Sequence, residues 1–302
     1  MELFTDFRLS VMERNLGVYG IHVVQKGISL GEVRFRSNDR ENLYSASKTF
    51  VSVGIGIAEG EGLFRLSDRV LDFFPECKEI ATPGSEKITL KNLLQMTSGH
   101  QTEDFSNYNR MDRAELFFST EMNNEAGSTF FYEDLATYML GRIVEKVTGE
   151  TMLEYLKPRI FEKLEIQNPQ WHTCHLGHTS CSGGLYLTTE EFSRIGVTLL
   201  QNGRYKEREI VPADYVGRMH SDLVDTASKN DPETRGGYGY QVWKCTPPNT
   251  YRADGMYGQL CVILKDYNAV VTVTSHNETD HKEILRAIWK DLIPKLKMEF
   301  IG

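Results

Sequence analysis

Strand-like runs stand at both ends of this chain, and the long stretch between them reads as helical. Residues 18–24 and 28–35 are rich in β-branched and aromatic side chains and are joined near Lys26-Gly27 in a hairpin-like pattern. Three more runs close the chain at 238–244, 259–265 and 269–275, with Pro247-Pro248-Asn249 and Asp266-Tyr267-Asn268 supplying turns. A terminal helix is expected from Ile284, Leu285, Ile288, Leu292 and Ile293. In the middle, Thr89 is placed to cap a helix that carries Leu90, Leu93, Leu94 and Met96 and ends by Gly99. A second helix carries Leu135, Met139, Ile143 and Val147 and stops at Gly149. Strands from both termini with helices between them imply an α+β fold, in which one antiparallel sheet is interrupted by a helical insertion.

One segment resists a simple reading. Val51, Val53, Ile55 and Ile57 alternate with Ser52, Gly54, Gly56 and Ala58, which is strand period. Each glycine would cost a helix about 1 kcal/mol. A wholly buried helix shows no useful period, however, and its glycines let neighbours approach closely, so the pattern does not decide.

Composition narrows the function. A formal charge of −8 and the lack of a basic stripe argue against nucleic acid as the main partner. Five scattered cysteines (Cys77, Cys174, Cys181, Cys245 and Cys261) suit free thiols in a reducing compartment. Asp6 and Glu13 interrupt the N-terminal apolar residues, and no signal peptide or membrane span is evident, so a cytoplasmic, soluble protein is expected.

Ser45-Ala46-Ser47-Lys48 carries the chemistry. In the first turn of a helix, a hydroxyl and an amine three residues apart share one face. The amine can then help strip the proton from a serine that is otherwise a poor nucleophile. Four residues match by chance in many chains, and an ordinary helix start would use Ser as a cap and Lys as a solvated charge.

Further motifs follow in order: Leu93-Leu94-Gln95-Met96-Thr97-Ser98-Gly99-His100, Tyr132-Glu133-Asp134, residues 182–188 beginning Ser182-Gly183-Gly184, and residues 254–259 beginning Asp254-Gly255-Met256. With these the chain resembles the serine β-lactamase and penicillin-binding-protein superfamily, nearest its class C-like branch of esterases, D-amino-acid peptidases and amide hydrolases. The resemblance implies a β-lactamase/transpeptidase-like fold. An α/β sandwich domain would be formed by residues 1–60 and 200–302 and a mainly helical domain by 61–199, with the site in the cleft between them. It also implies that the segment after Lys48 is the family's buried central helix, which overrules its strand-like period.

By the same resemblance Ser45 is the nucleophile, Lys48 its amine partner and Tyr132 the general base. The backbone N–H groups of Ser45 and Met256 would form the oxyanion hole, and Asp134, Asp254 and Gly255 would bind substrate. A lysine ammonium beside Tyr132 is expected to lower the phenol's pKa and fit it to take a proton at neutral pH. The implied activity is hydrolysis of a small ester or amide through an acyl-enzyme, with no cofactor or metal; oligomeric state is not legible.

Two departures from the family pattern bear on this. Asp134 replaces an asparagine, and the third motif reads Ala253-Asp254-Gly255, without the cation that would face a substrate carboxylate. Both changes make the cleft more negative, so neutral or amine-bearing substrates are expected unless Arg235 or Arg252 points into it. The same changes keep a catalytically weak binding or sensing homologue as an alternative, and disfavour a true β-lactamase or D,D-peptidase. Asp134 also stands where it would cap the following helix.

His172, Cys174, His175, His178 and Cys181 supply zinc-type ligands, but their spacing matches no standard module, and a loop bordering the cleft is the competing reading. No Gly-x-Ser-x-Gly elbow occurs.

Overall fold

The computed structural model describes residues 2–103 and 105–297. Its centre is a six-stranded antiparallel sheet built from both chain ends: β1 (Val18–Gln25), β2 (Ile28–Arg34), β3 (Trp243–Lys244), β4 (Thr250–Gly255), β5 (Gln259–Leu264) and β6 (Ala269–Ser275), in the order β2-β1-β6-β5-β4-β3. The two termini meet where β1 pairs with β6, Ile21 opposite Val273 and Val23 opposite Val271. β6 is buried along its whole length, and its valines serve cores on both faces of the sheet.

One face is covered by α1 (Thr5–Glu13) and by α6 (Lys282–Ala287) with the helical turns that continue it to Lys295. The other carries α2 (Ser47–Gly60) and α5 (Thr189–Leu200). Between α2 and α5 the regular structure is mostly helical and includes α3 (Leu90–Leu94) and α4 (Asp134–Thr148), the second of which opens with Asp134 beside Lys48. α5 ends at residue 200, where the domain boundary was expected, yet it packs on the sheet. Thr189 Oγ1 bonds Thr274 Oγ1 at 2.7 Å, and Gly196 lies against Cys261 and Val270. We therefore propose that the sheet domain takes in α5 as well as residues 1–60 and 201–302.

The segment after Lys48 is helical, and residues 47–58 are all buried. A helix surrounded on every side has no polar face to create a 3.6-residue period, which is why its sequence looks like a strand. Its glycines sit where neighbours crowd in: a side chain on Gly54 would meet Leu156, and one on Gly56 would meet Tyr215.

Elsewhere the expected elements shift. α3 is capped by Thr89 as expected but ends at Leu94, and Met96 adopts φ 57° outside it. The 238–244 run shrinks to Trp243–Lys244, while β4 was not anticipated because Arg252 and Asp254 interrupt its apolar pattern. No helix among the described residues is long and apolar enough to cross a membrane.

Candidate active site

Ser45 occupies a single 3-10 turn, Tyr44–Ala46, that runs directly into α2. The spacing delivers what it promised: Lys48 Nζ lies 3.2 Å from Ser45 Oγ. It also donates to Asp134 Oδ1 at 2.6 Å and to the Ser182 carbonyl at 2.9 Å. These three acceptors match the three hydrogens of an ammonium, and the Tyr132 side chain lies beside them as a further partner. Lys48 is only 1% exposed. Burial works to strip its proton, but Tyr132 and Asp134 outweigh burial and hold its pKa above the ordinary lysine value.

Asp134 is fixed from two sides. It is the first residue of α4, and Glu133 holds the cap position. Glu133 cannot cap its own helix, because its buried carboxylate accepts from Ser98 Oγ and lies 3.1 Å from His100 Nδ1. Glu103 acts instead: its carboxylate accepts the N–H of Asp134 at 2.8 Å and that of Leu135 at 2.8 Å, and Tyr108 donates to it in turn. Asp134 is thus not the cap but the residue being capped. Nothing in the sequence marks Glu103, an acid in a loop 31 residues before Asp134.

Tyr132 packs between aromatic rings. It is stacked on Trp243, with centroids 5.9 Å apart and planes at 18°, and meets Tyr238 edge-on at 6.0 Å. Lys48 Nζ is 5.0 Å from the Tyr132 ring centroid. The expected lowering of the phenol pKa does not occur. Burial raises it, and Asp134 adds to the rise. Together these exceed the lowering from the Lys48 charge and from side-chain hydrogen bonds to Ser45 and Lys48. The resting site therefore holds a neutral phenol beside an ammonium.

The third motif packs against the nucleophile turn. Gly255 faces the Leu43 carbonyl and the Ala46 N–H with no room for a β-carbon, so only glycine lets β4 approach this closely. Ser45, Tyr132, Asp254 and Met256 line one cleft of about 360 Å³, with Trp243 as an aromatic wall. Tyr44 and Tyr257, next in sequence to the two expected oxyanion-hole residues, both adopt left-handed backbone (φ 45° and 64°) and meet edge to face at 5.3 Å. Such positions cost about 1–3 kcal/mol each and persist only where surrounding contacts fix them.

Asp254 does not present a free negative charge. Arg252, fully buried one strand step away, donates to its Oδ2 at 2.7 Å, and His281 Nε2 lies 3.4 Å from Oδ1. Burial alone would raise the Asp254 pKa; the Arg252 charge and the His281 contact more than reverse that and hold it well below the usual carboxylate range. The negative cleft expected from sequence is thus cancelled at its source. Arg252 does so from inside the wall, while exposed Arg235 bonds the Lys229 carbonyl at 2.6 Å.

The His/Cys-rich loop has other partners. His178 Nδ1 is 2.8 Å from Glu145 Oε1, His172 packs on Tyr186, and Cys174 and Cys181 are buried free thiols. Among the described residues no three His, Cys, Asp or Glu side chains converge as metal ligands.

A model of the family described as Beta-lactamase matches residues 17–292. The chain is 26% identical over 233 residues to the 6-aminohexanoate-dimer hydrolase of Paenarthrobacter ureafaciens, covering 70% of this chain and 59% of that protein. It is also 26% identical over 157 residues to "Protein flp" of Staphylococcus aureus strain MW2, covering 50% of this chain and 30% of that one. The chain thus spans under a third of the first curated relatives it matches. Among solved structures, a putative 6-aminohexanoate-dimer hydrolase from Bacillus anthracis superposes with a TM-score of 0.79 at 20% identity, covering 95% of this chain and 81% of that one. A D-stereospecific amidohydrolase from Streptomyces sp. gives 0.73 at 18% identity, covering 93% and 97%.

Proposed function

We propose a serine acyl-hydrolase function for this chain, which belongs to the beta-lactamase family. The observation that carries the reading is the contact of Ser45 Oγ with Lys48 Nζ at 3.2 Å, beside Tyr132 and at the wall of a cleft. The names of the similar proteins, amide hydrolases among them, agree with ester or amide substrates.

In this mechanism the Tyr132–Lys48 pair must first lose one proton, because both groups are protonated at rest. Tyr132 then takes the Ser45 hydroxyl proton, and Ser45 Oγ attacks the substrate carbonyl. The oxyanion is held by the backbone N–H groups of Ser45 and Met256, donors worth about 3 kcal/mol each in comparable sites. The proton returns through Tyr132 to the leaving group, an acyl-Ser45 ester remains, and water enters by the reverse route to release the acid. No cofactor takes part. Asp134 keeps Lys48 charged and in place, so lysine acts by positioning and by its field rather than as the base.

One observation favours a second reading, a binding homologue with weak turnover: Asp134 raises both proton acceptors, which a neutral asparagine would not do. Hydrolysis of short-chain p-nitrophenyl esters separates the two. Turnover that vanishes in Ser45→Ala, with the melting temperature unchanged within a few degrees, supports the hydrolase. Esterase activity surviving Ser45→Ala refutes it.

A further inference from the structure

Among the described residues Asp254 is the one carboxylate that lines the cleft, and both it and Asp134, which lies behind at Lys48, are already matched. Asp134 is paired with Lys48 at 2.6 Å and Asp254 with Arg252 at 2.7 Å. Two more cations line the same cleft, Lys229 and Lys282, together with His281. Both lysines are half-buried, and among the described residues neither has a carboxylate within 4.0 Å. Among the described residues Lys282 Nζ bonds His281 Nε2, at 3.1 Å, with its charge also felt at Asp254, and Lys229 Nζ lies 5.4 Å from the Phe130 ring centroid. The acids nearest in sequence are engaged elsewhere: Arg286 binds Asp231, Asp280 and Glu283, and buried Glu233 accepts from Trp289 Nε1 at 2.8 Å. Arg252 adds a buried Nη2 with no acceptor. The charges facing the cleft therefore sum to an excess of two positive charges, before any on His281.

From this count we infer that Lys229 and Lys282 form an anion subsite, and that the substrates are esters or amides carrying a carboxylate a few bonds from the scissile carbonyl. This rests on the hydrolase reading and reverses the charge preference expected from sequence, where Asp254 stood unpaired. The third motif lacks a cation at Ala253, but residues outside every motif restore one, from the loop after Ser221 and from the start of α6. The wall between them and Ser45 is apolar, Trp243 and Met256, which suits a short hydrocarbon spacer. Half-buried lysines feel less screening than exposed ones, so their field reaches a ligand in the cleft.

The test uses two matched pairs of p-nitrophenyl-type esters. One pair carries the carboxylate on the acyl group (monoadipoyl against hexanoyl). The other carries it on the leaving group, a carboxyphenyl against a tolyl hexanoate. In at least one pair kcat/KM should favour the anionic member about tenfold. That ratio should fall toward one in Lys229→Ala/Lys282→Ala, and on raising salt from about 50 to 500 mM. Equal or lower kcat/KM for the anionic member in both pairs overturns the subsite, as does a preference that the double variant leaves intact. If no ester is turned over, the hydrolase reading fails by itself. The subsite is then read from calorimetry on Ser45→Ala, where monomethyl adipate should bind more tightly than dimethyl adipate, and equal binding overturns it.

Discussion

The Lys48–Asp134 and Arg252–Asp254 pairs are alike in length, at 2.6 and 2.7 Å, and unlike in their surroundings. Lys48 touches the nucleophile, a backbone carbonyl and Asp134, and the Tyr132 phenol next to it shares in the same proton balance. Arg252 is sealed in the sheet, its guanidinium cannot lose a proton, and among the described residues its side-chain partners are Asp254 and Cys245. The first pair can move a proton; the second can only fix a charge. Placing a titratable pair beneath the serine and a permanent one in the wall lets the charge change at the nucleophile while the charge in the wall stays constant.

Tyr132→Phe breaks the titratable side and should have the largest effect. Acylation measured with p-nitrophenyl esters is expected to fall about 10²–10⁴-fold, the usual range for loss of a general base. Near-wild-type acylation would reduce Tyr132 to a packed aromatic and leave the two pairs functionally alike.

Asp254→Asn probes the permanent side. It leaves Arg252 buried without its counter-charge, and stability measured by urea unfolding should drop by about 3–5 kcal/mol. Because the folded-state pKa of Asp254 lies below its unfolded value, its contribution is present above the ordinary carboxylate range. It is lost as pH falls through the depressed folded-state value, so the wild type should lose this advantage over Asp254→Asn only in strong acid.

A smaller stability effect is expected of Glu103→Ala. Two N–H groups at the start of α4 lose their acceptor, a cap loss of about 0.5–2 kcal/mol. Since Asp134 is one of the residues released, kcat should fall more than KM rises, whereas a cap with no link to the site would leave both unchanged.

Asp134→Asn should act most gently and most diagnostically. Asp134 raises the pKa of both Tyr132 and Lys48, so removing its charge lowers both. The limb of the pH–kcat/KM profile on which activity rises with pH should move to lower pH, and activity at neutral pH should increase by the matching factor. A limb that moves upward, or loss of activity at every pH, would mean that Asp134 serves mainly to position Lys48.

The same contrast governs what could be read from the sequence. Ser45, Lys48, Tyr132 and Asp134 were legible because ordered motifs carry them, and the terminal strands because they are short runs of β-branched and other apolar residues bounded by turn residues, which survive burial on both faces. α2 was readable only through resemblance, since burial on all sides erased its period. β4 and the Arg252–Asp254 pair were missed for the opposite reason: two charged residues in an apolar run look like a break, and only the fold shows that they neutralise each other. Lys229, His281 and Lys282 carry no motif, because their meaning comes from which carboxylates are already paired.

The central claim, that Ser45 is a nucleophile activated at the titratable pair, is tested most directly by a fluorophosphonate. Wild-type protein incubated with the probe at mildly alkaline pH, digested and mapped by mass spectrometry, should carry a single phosphonyl adduct on Ser45. Tyr132→Phe should be labelled far more slowly. An adduct on another serine, or none on Ser45 in folded protein, would contradict the account.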